Sequence, residues 1–156
     1  MPVVNHVPAG YHTVNPYITV RGAAKAIEFY KAAFGAVEVM RFEGPGGVVA
    51  HAEIEIGGSR IMLADEMPEW GNRGPETLGG ASGGLCVYLP EVDKAFARAV
   101  AAGAKEFRPV ANQFYGDRSG TVIDPFGHVW TLATHIEDVS VEEMQRRCAE
   151  FMKQAA

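Results

Sequence analysis

Apolar and polar residues alternate along several short stretches of the chain, and the pattern predicts strands that pack on one side only. Tyr17 to Val20 is the first of these. After Arg21-Gly22 the spacing changes to that of a helix: Ala23, Ile27, Tyr30 and Phe34 form a stripe, Ala26 and Phe29 widen it, and Gly35 stands where the helix should stop. Alternation returns from Val37 to Phe42 and, beyond the turn residues Glu43-Gly44-Pro45-Gly46-Gly47, from Val48 to Ile56. In this last strand Ala50, Ala52, Ile54 and Ile56 share one face, while Val49, His51, Glu53 and Glu55 share the other. The apolar face belongs to a core, so His51 and Glu53 point to solvent or to a pocket. Arg60 to Ala64 reads as a fourth strand.

From Asp65 to Gly84 the pattern lapses. Glycines at 71, 74, 79, 80, 83 and 84 and prolines at 68 and 75 give this stretch the composition of a mobile connection, with Trp70 as a candidate lid. Leu85 to Leu89 is the next strand, and Val92 to Ala102 a helix with Val92, Phe96 and Ala99 or Val100 inward. Lys105 to Val110 follows as a strand. Asn112 to Ser119 is expected to be a loop, in which Phe114, Tyr115, Asp117 and Arg118 either form a ligand mouth or satisfy one another. A strand from Gly120 breaks at Asp124-Pro125-Phe126-Gly127-His128, a hairpin turn by its Pro and Gly positions. It resumes with Trp130 and Leu132 on one face and Val129, Thr131, Ala133 and His135 on the other, a smaller face free to line a cavity. Ser140 with Glu143 predicts a capping box, and Val141, Met144, Cys148, Phe151 and Met152 make the stripe of a last helix. That stripe requires cover from its own domain or from a second subunit.

The second half repeats the first. With Gly58 and Gly127 aligned, 69 residues apart, Pro16 to Val20 falls on Leu85 to Leu89 and Lys25-Ala26-Ile27 on Lys94-Ala95-Phe96. One deleted residue brings Gly35-Ala36 onto Gly103-Ala104. The chain is therefore read as two copies of a strand, a helix and three strands.

At 156 residues, 47% hydrophobic and 21% charged, the chain has the composition of a globular protein. No apolar run approaches the roughly 18 residues of a membrane span. The N-terminus lacks the basic start and apolar run of a secretory signal, so a cytoplasmic location is expected. Net charge is −5 with scattered Lys and Arg, which argues against a nucleic-acid partner. Cys86 and Cys148 make no disulfide framework and are expected to be reduced, buried packing residues.

Pro16-Tyr17-Ile18, Ala26-Ile27-Glu28-Phe29-Tyr30 with Phe34-Gly35-Ala36, His51-Ala52-Glu53, Met62 to Glu66 and Asp124 to Trp130 resemble the vicinal oxygen chelate superfamily of glyoxalase I, bleomycin-resistance proteins and extradiol dioxygenases. The likeness is strongest to its PhnB-like glyoxalase branch. It implies an α+β fold of two βαβββ modules, about 15–65 and 84–137, joined by a linker at 66–83 and followed by a helix at 140–153. The mixed sheets would curl into a cup, formed within one chain or across a homodimer, with helices outside.

Metal enzymes of the superfamily take His and Glu ligands from positions that correspond here to Asn15, Met62, Gly84 and Thr131. These side chains make poor ligands for a divalent metal, so no metal or other cofactor is expected there. The resulting expectation is a binding protein that holds a small organic molecule with Tyr17, Met40, Met62, Trp70, Tyr88, Phe114, Tyr115, Arg118, Thr131 and His135. The alternatives are a lyase, isomerase or oxygenase, with a displaced metal or with His51 and Glu53 as an acid–base pair, and a dimer with a vestigial pocket.

Overall fold

The computed structural model describes residues 2–156, and its backbone follows one path twice. In the first pass β1 (Tyr17–Val20), α1 (Ala23–Phe34), β2 (Val37–Glu43), β3 (Val49–Ile56) and β4 (Ser59–Asp65) form a four-stranded sheet in the order β1-β4-β3-β2. Strand β1 runs parallel to β4, and the other pairs are antiparallel. A short helix, α2 (Pro75–Leu78), precedes the second pass: β5 (Gly84–Tyr88), α3 (Val92–Ala102), β6 (Lys105–Asn112), β7 (Asp117–Ile123) and β8 (Val129–His135), in the order β5-β8-β7-β6. The chain ends in α4 (Val141–Ala155). The fold is α+β, two βαβββ modules with a C-terminal helix.

Register makes the repeat concrete. Tyr17 pairs with Met62 and Met62 with Glu53; Cys86 pairs with Thr131 and Thr131 with Thr121. The first and last strands of the modules thus correspond at 69 residues and the middle strands at 68. The difference is one extra residue in the turn between β7 and β8.

Contacts divide the chain into two units, one running to Ala81 and including Pro125–Gly127, the other comprising Ser82–Asp124 and His128–Ala156. In the first, the alternation of β3 and β4 sends Ala52, Ile54, Ile61 and Leu63 to the buried side, with Ala26, Ile27 and Tyr30 of α1. Phe126 completes this core, its ring centroid 6.3 Å from that of Phe29 and 6.4 Å from that of Tyr30. In the second, Trp130 and Leu132 of β8 and Val122 of β7 are buried with Val92, Phe96 and Ala99 of α3, while Val100 stays outside. Each large apolar side chain buried in this way contributes about 1.5–3 kcal/mol.

Both main helices leave a strand through left-handed backbone and need acceptors for their first N–H groups. Gly22 has φ 92°, and Asp65 accepts from Gly22 N at 2.9 Å and Ala23 N at 2.7 Å while its other oxygen accepts from Val49 N at 2.8 Å. In the second module Glu91 takes the same place with φ 52°. Thr134, 69 residues after Asp65, accepts from Val92 N at 3.0 Å and donates to Leu89 O at 2.6 Å.

Four expectations need correction. Asn112 to Ser119 is not one loop: β6 extends to Asn112, a tight turn holds Gln113 to Gly116, and β7 begins at Asp117. The turn is closed by Gln113 N donating to Asp117 O at 2.7 Å, and the polar residues Asp117, Arg118 and Ser119 hid the strand. The Asp65 to Gly84 stretch carries structure as well, a 3-10 turn at Pro68–Trp70, a bridge between Met67 and Asn72, and α2, whose Pro75 is buried. Cys86 is exposed, because it lies on the face of β5 opposite the core. Finally, only half of the capping box forms. Ser140 accepts from Glu143 N at 3.2 Å, but the Glu143 carboxylate turns to Arg146 and Arg147, which hold it at a pKa of about 2.

Asp65→Ala is expected to cost about 2–4 kcal/mol in urea unfolding, since it removes a helix cap and orphans the buried Val49 N–H; a loss below about 0.5 kcal/mol would contradict this role. Gly120→Ala tests the α3 packing. A Cβ there would sit 2.8 Å from the Phe96 ring and 2.9 Å from Val110 Cγ2, and overpacking of that kind costs about 1–3 kcal/mol by the same measurement.

Candidate functional site

Each sheet has one face turned to a helix and one without a helix, and the polar side chains collect on the latter. On the first sheet, pairing aligns Tyr17, Met62, Glu53 and Met40 in a row across all four strands, with His51 opposite Phe42 alongside. Tyr17 Oη lies 2.8 Å from His51 Nδ1, and His51 Nε2 lies 3.1 Å from Glu53 Oε1. With the proton on Nε2, the ring donates to Glu53 and accepts from Tyr17, a relay from a phenol half open to solvent to a carboxylate only 3% exposed. The Phe42 ring lies near-parallel to that of His51, with centroids 6.1 Å apart.

Glu53 is held from the other side as well. Tyr11, ahead of the first strand, donates to Glu53 Oε2, and Arg60 Nη1 lies 3.5 Å from the same oxygen with its guanidinium over the Tyr11 ring at 4.6 Å. Burial pushes the Glu53 carboxyl up, but the hydrogen bonds from Tyr11 and His51 and the charges of His51 and Arg60 outweigh it and leave the pKa below the ordinary value. Burial, with the Glu53 charge, pushes the Tyr17 phenol up.

The second sheet carries a different set. Tyr88 donates to Asp117 Oδ2 at 2.7 Å, and His135 Nδ1 reaches Asp117 Oδ1 at 2.8 Å. His135 Nε2 meets Asp138 Oδ1 at 2.8 Å. With a carboxylate at each ring nitrogen, the pKa of His135 is pushed up, by Asp117 first and Asp138 next. The hydrogen bond to Asp117, reinforced by burial, drives Tyr88 up to about 12. Toward the other end of this face Thr131 and Thr121 approach to 3.2 Å through their hydroxyls.

The expected residues therefore fall into separate groups. Tyr17, Met40, Met62, His51 and Glu53 come together on the first sheet, and Tyr88, Thr131 and His135 share the helix-free face of the second. Arg118 lies on the opposite face of β7 from Asp117. It donates from Nε and Nη2 to Asp93 of α3, both at 2.8 Å, and from Nη1 to Asn112 at 2.9 Å. Phe114 packs edge-on to Tyr115 at 5.3 Å and against Phe151 of α4 at 5.6 Å. Trp70 is 68% exposed.

The residues at the positions that family metal enzymes use do not fit a divalent metal. Asn15 spends its amide on the His12 backbone, Gly84 has no side chain and a Cβ there would stand 3.1 Å from Val129 O, and Met62 and Thr131 offer a thioether and a paired hydroxyl. Among the described residues no three His, Cys, Asp or Glu side chains converge on one point.

Sequence reading missed Tyr11, which lies outside any periodic element and carries no signal. It also passed over Arg60, Arg108, Ser119 and Thr121. The alternation of β7, once its start at Asp117 is known, would have placed Asp117, Ser119 and Thr121 on one face.

Comparison with known proteins agrees with this architecture. The model of the Glyoxalase/Bleomycin resistance protein/Dioxygenase superfamily matches residues 6–132. The uncharacterized protein Mb0911c of Mycobacterium bovis is 40% identical over 135 residues, 85% of this chain and 89% of its own. Among solved structures, the product of Arabidopsis thaliana AT5G48480 is similar with a TM-score of 0.65 and 26% identity, over 79% of this chain and 98% of that one. A PhnB protein of Bacillus cereus, described as a putative 3-demethylubiquinone-9 3-methyltransferase, shares the fold at a TM-score of 0.56 and 21% identity, over 79% and 99%. Two βαβββ modules in sequence, matched by the family model over most of their length, make this chain a member of the Glyoxalase/Bleomycin resistance protein/Dioxygenase superfamily.

Proposed function

We infer that this chain is a binding protein for a small organic molecule, of the PhnB-like branch, and that it works without the metal of its enzymatic relatives. The observation that carries the reading is the row Tyr17, Met62, Glu53 and Met40 on the helix-free face of the first sheet. Two flexible thioethers and a phenol supply adaptable apolar contact, and one buried carboxylate already bound to Tyr11 and His51 supplies a fixed polar point. A second reading, acid–base catalysis, draws on the hydrogen-bonded order Tyr17, His51, Glu53, in which His51 can pass a proton between a phenol and a carboxylate.

The protein is further proposed to act as a cytoplasmic homodimer, with nucleic acid and membrane excluded as partners. Among the described residues no helix is long and apolar enough to cross a membrane. Support for the dimer comes from α4, where Val141, Phe151 and Met152 remain 69%, 54% and 61% exposed.

Thermal-shift screening against small aromatic and polar organic molecules should yield ligands that stabilise the protein, by about 2.7 kcal/mol at a hundred times Kd. Met62→Glu, which places a second carboxylate beside Glu53, should abolish the effect. Failure of every compound, or ligands indifferent to Met62→Glu, rejects binding at this face. Stoichiometric Zn, Ni, Fe or Mn in protein purified without chelator, lost in His51→Ala, would favour the enzyme instead.

Sedimentation of the full chain should show a dimer at micromolar concentration, burying at least about 1,200 Å². A version ending at Glu137 should be monomeric. A full-length monomer rejects the dimer, and an unchanged truncated dimer rejects the part of α4 in it.

A further inference from the structure

The helix-free face of the second sheet holds a cavity of ≈ 140 Å³, bounded by Arg108, Gln113, Tyr115, Ser119, Thr121 and Thr131 among others, with no acidic residue in its wall. Its hydrogen-bonding capacity is one-sided. Arg108 forms no ion pair among the described residues, and its guanidinium rests 5.3 Å from the exposed Phe107 ring. Ser119 is only 5% exposed as a residue, and its hydroxyl, which has no partner among the described residues and is not itself a buried unpaired atom, opens onto the cavity. An accessible hydroxyl there can donate to a ligand oxygen. Of the two hydroxyls of Thr121 and Thr131, which meet at 3.2 Å, one hydrogen is used between them and the other remains free to donate.

Charge points the same way. The nearest carboxylate along β7 is Asp117, and both of its oxygens are already engaged, by Tyr88 and His135. The wall of the cavity thus carries one cation, Arg108, and no carboxylate. The volume is well below the roughly 300 Å³ at which sites for whole drug-sized ligands begin, so it suits a headgroup and not an entire molecule.

We propose that this cavity is an oxyanion subsite, in which Arg108, Ser119 and the Thr121–Thr131 pair receive the carboxylate or phosphonate end of a small organic ligand. The proposal goes beyond the small-molecule reading above: it places on the second sheet alone a separate subsite for an anionic class of ligand. Arg108 gives the charge-assisted bonds, and the hydroxyls fix the orientation of the oxygens.

The test is titration of the isotopically labelled full chain, followed by amide NMR, with benzoate, phenylphosphonate and the neutral benzamide. The two anions should shift the resonances of Arg108, Ser119, Thr121 and Thr131, and the stronger of them tells a planar from a tetrahedral oxyanion. Benzamide should not shift these resonances. Arg108→Gln, at an exposed side chain outside the core, should weaken the anions at least about tenfold, as loss of a charged hydrogen bond does, and Ser119→Ala by a smaller factor. Equal binding of benzamide, or an anion affinity unchanged within about twofold in Arg108→Gln, overturns the oxyanion assignment. So does an anion that shifts Tyr17, His51 and Met62 instead, although binding on the first sheet would then stand. Absence of any perturbation by all three probes at about 10 mM sinks this subsite, while the broader compound screen still decides the first-sheet reading separately.

Discussion

In both modules the helix follows the first strand through one left-handed residue, Gly22 or Glu91, and its leading N–H groups need acceptors from outside the helix. Everything else in the two modules follows from how that junction is closed. In each, a side chain from one position on the last strand reaches over to the helix start, Asp65 in one and Thr134 in the other. Because that last strand also pairs in parallel with the first, the same contact ties both ends of the βαβββ path together. The carboxylate holds two groups of the junction and a third on β3. The hydroxyl holds one and must donate to a carbonyl, so the two closures share a place without sharing a strength.

Much of this architecture was legible in the sequence because hydrophobic alternation and helix stops are local signals. Trp130 and Leu132 opposite Thr131 and His135, Gly35 ending α1 and Ser140 opening α4 all follow from spacing alone. The beginning of β7 did not, since Asp117, Arg118 and Ser119 carry none of the apolar pattern and the strand is visible only through its pairing with β6 and β8. Site residues divide in the same manner. His51 and Glu53 announced themselves by facing away from an apolar row. Tyr11 came from a segment without periodicity, and Arg118 looked like a ligand contact because sequence cannot reveal that Asp93, twenty-five residues earlier, holds it with two hydrogen bonds.

The two helix-free faces show how one scaffold supports opposite polar arrangements. On the first sheet a histidine stands in the middle, taking a hydrogen bond from a tyrosine and giving one to a glutamate. On the second a carboxylate stands in the middle, bonded to a tyrosine and to a histidine whose pKa it raises together with a second carboxylate. The positions are not equivalents under the repeat. By register Glu53 corresponds to Thr121 and His51 to Ser119, so duplication supplied the frame and the polar groups were placed on each copy independently.

Helix α4 contributes no fully buried residue. Within its unit Arg147 bonds Glu137 through two nitrogens and the carbonyl of Phe114 through one of them, Phe151 meets Phe114, and Met144 and Cys148 are half-buried. An ion pair made by a partly exposed guanidinium is worth little, about 0–1 kcal/mol, and added salt weakens it. The end of the chain therefore responds to ionic strength in a way the cores of the modules do not. A dilute buffer and a saline one hold the same fold with a differently tethered last helix.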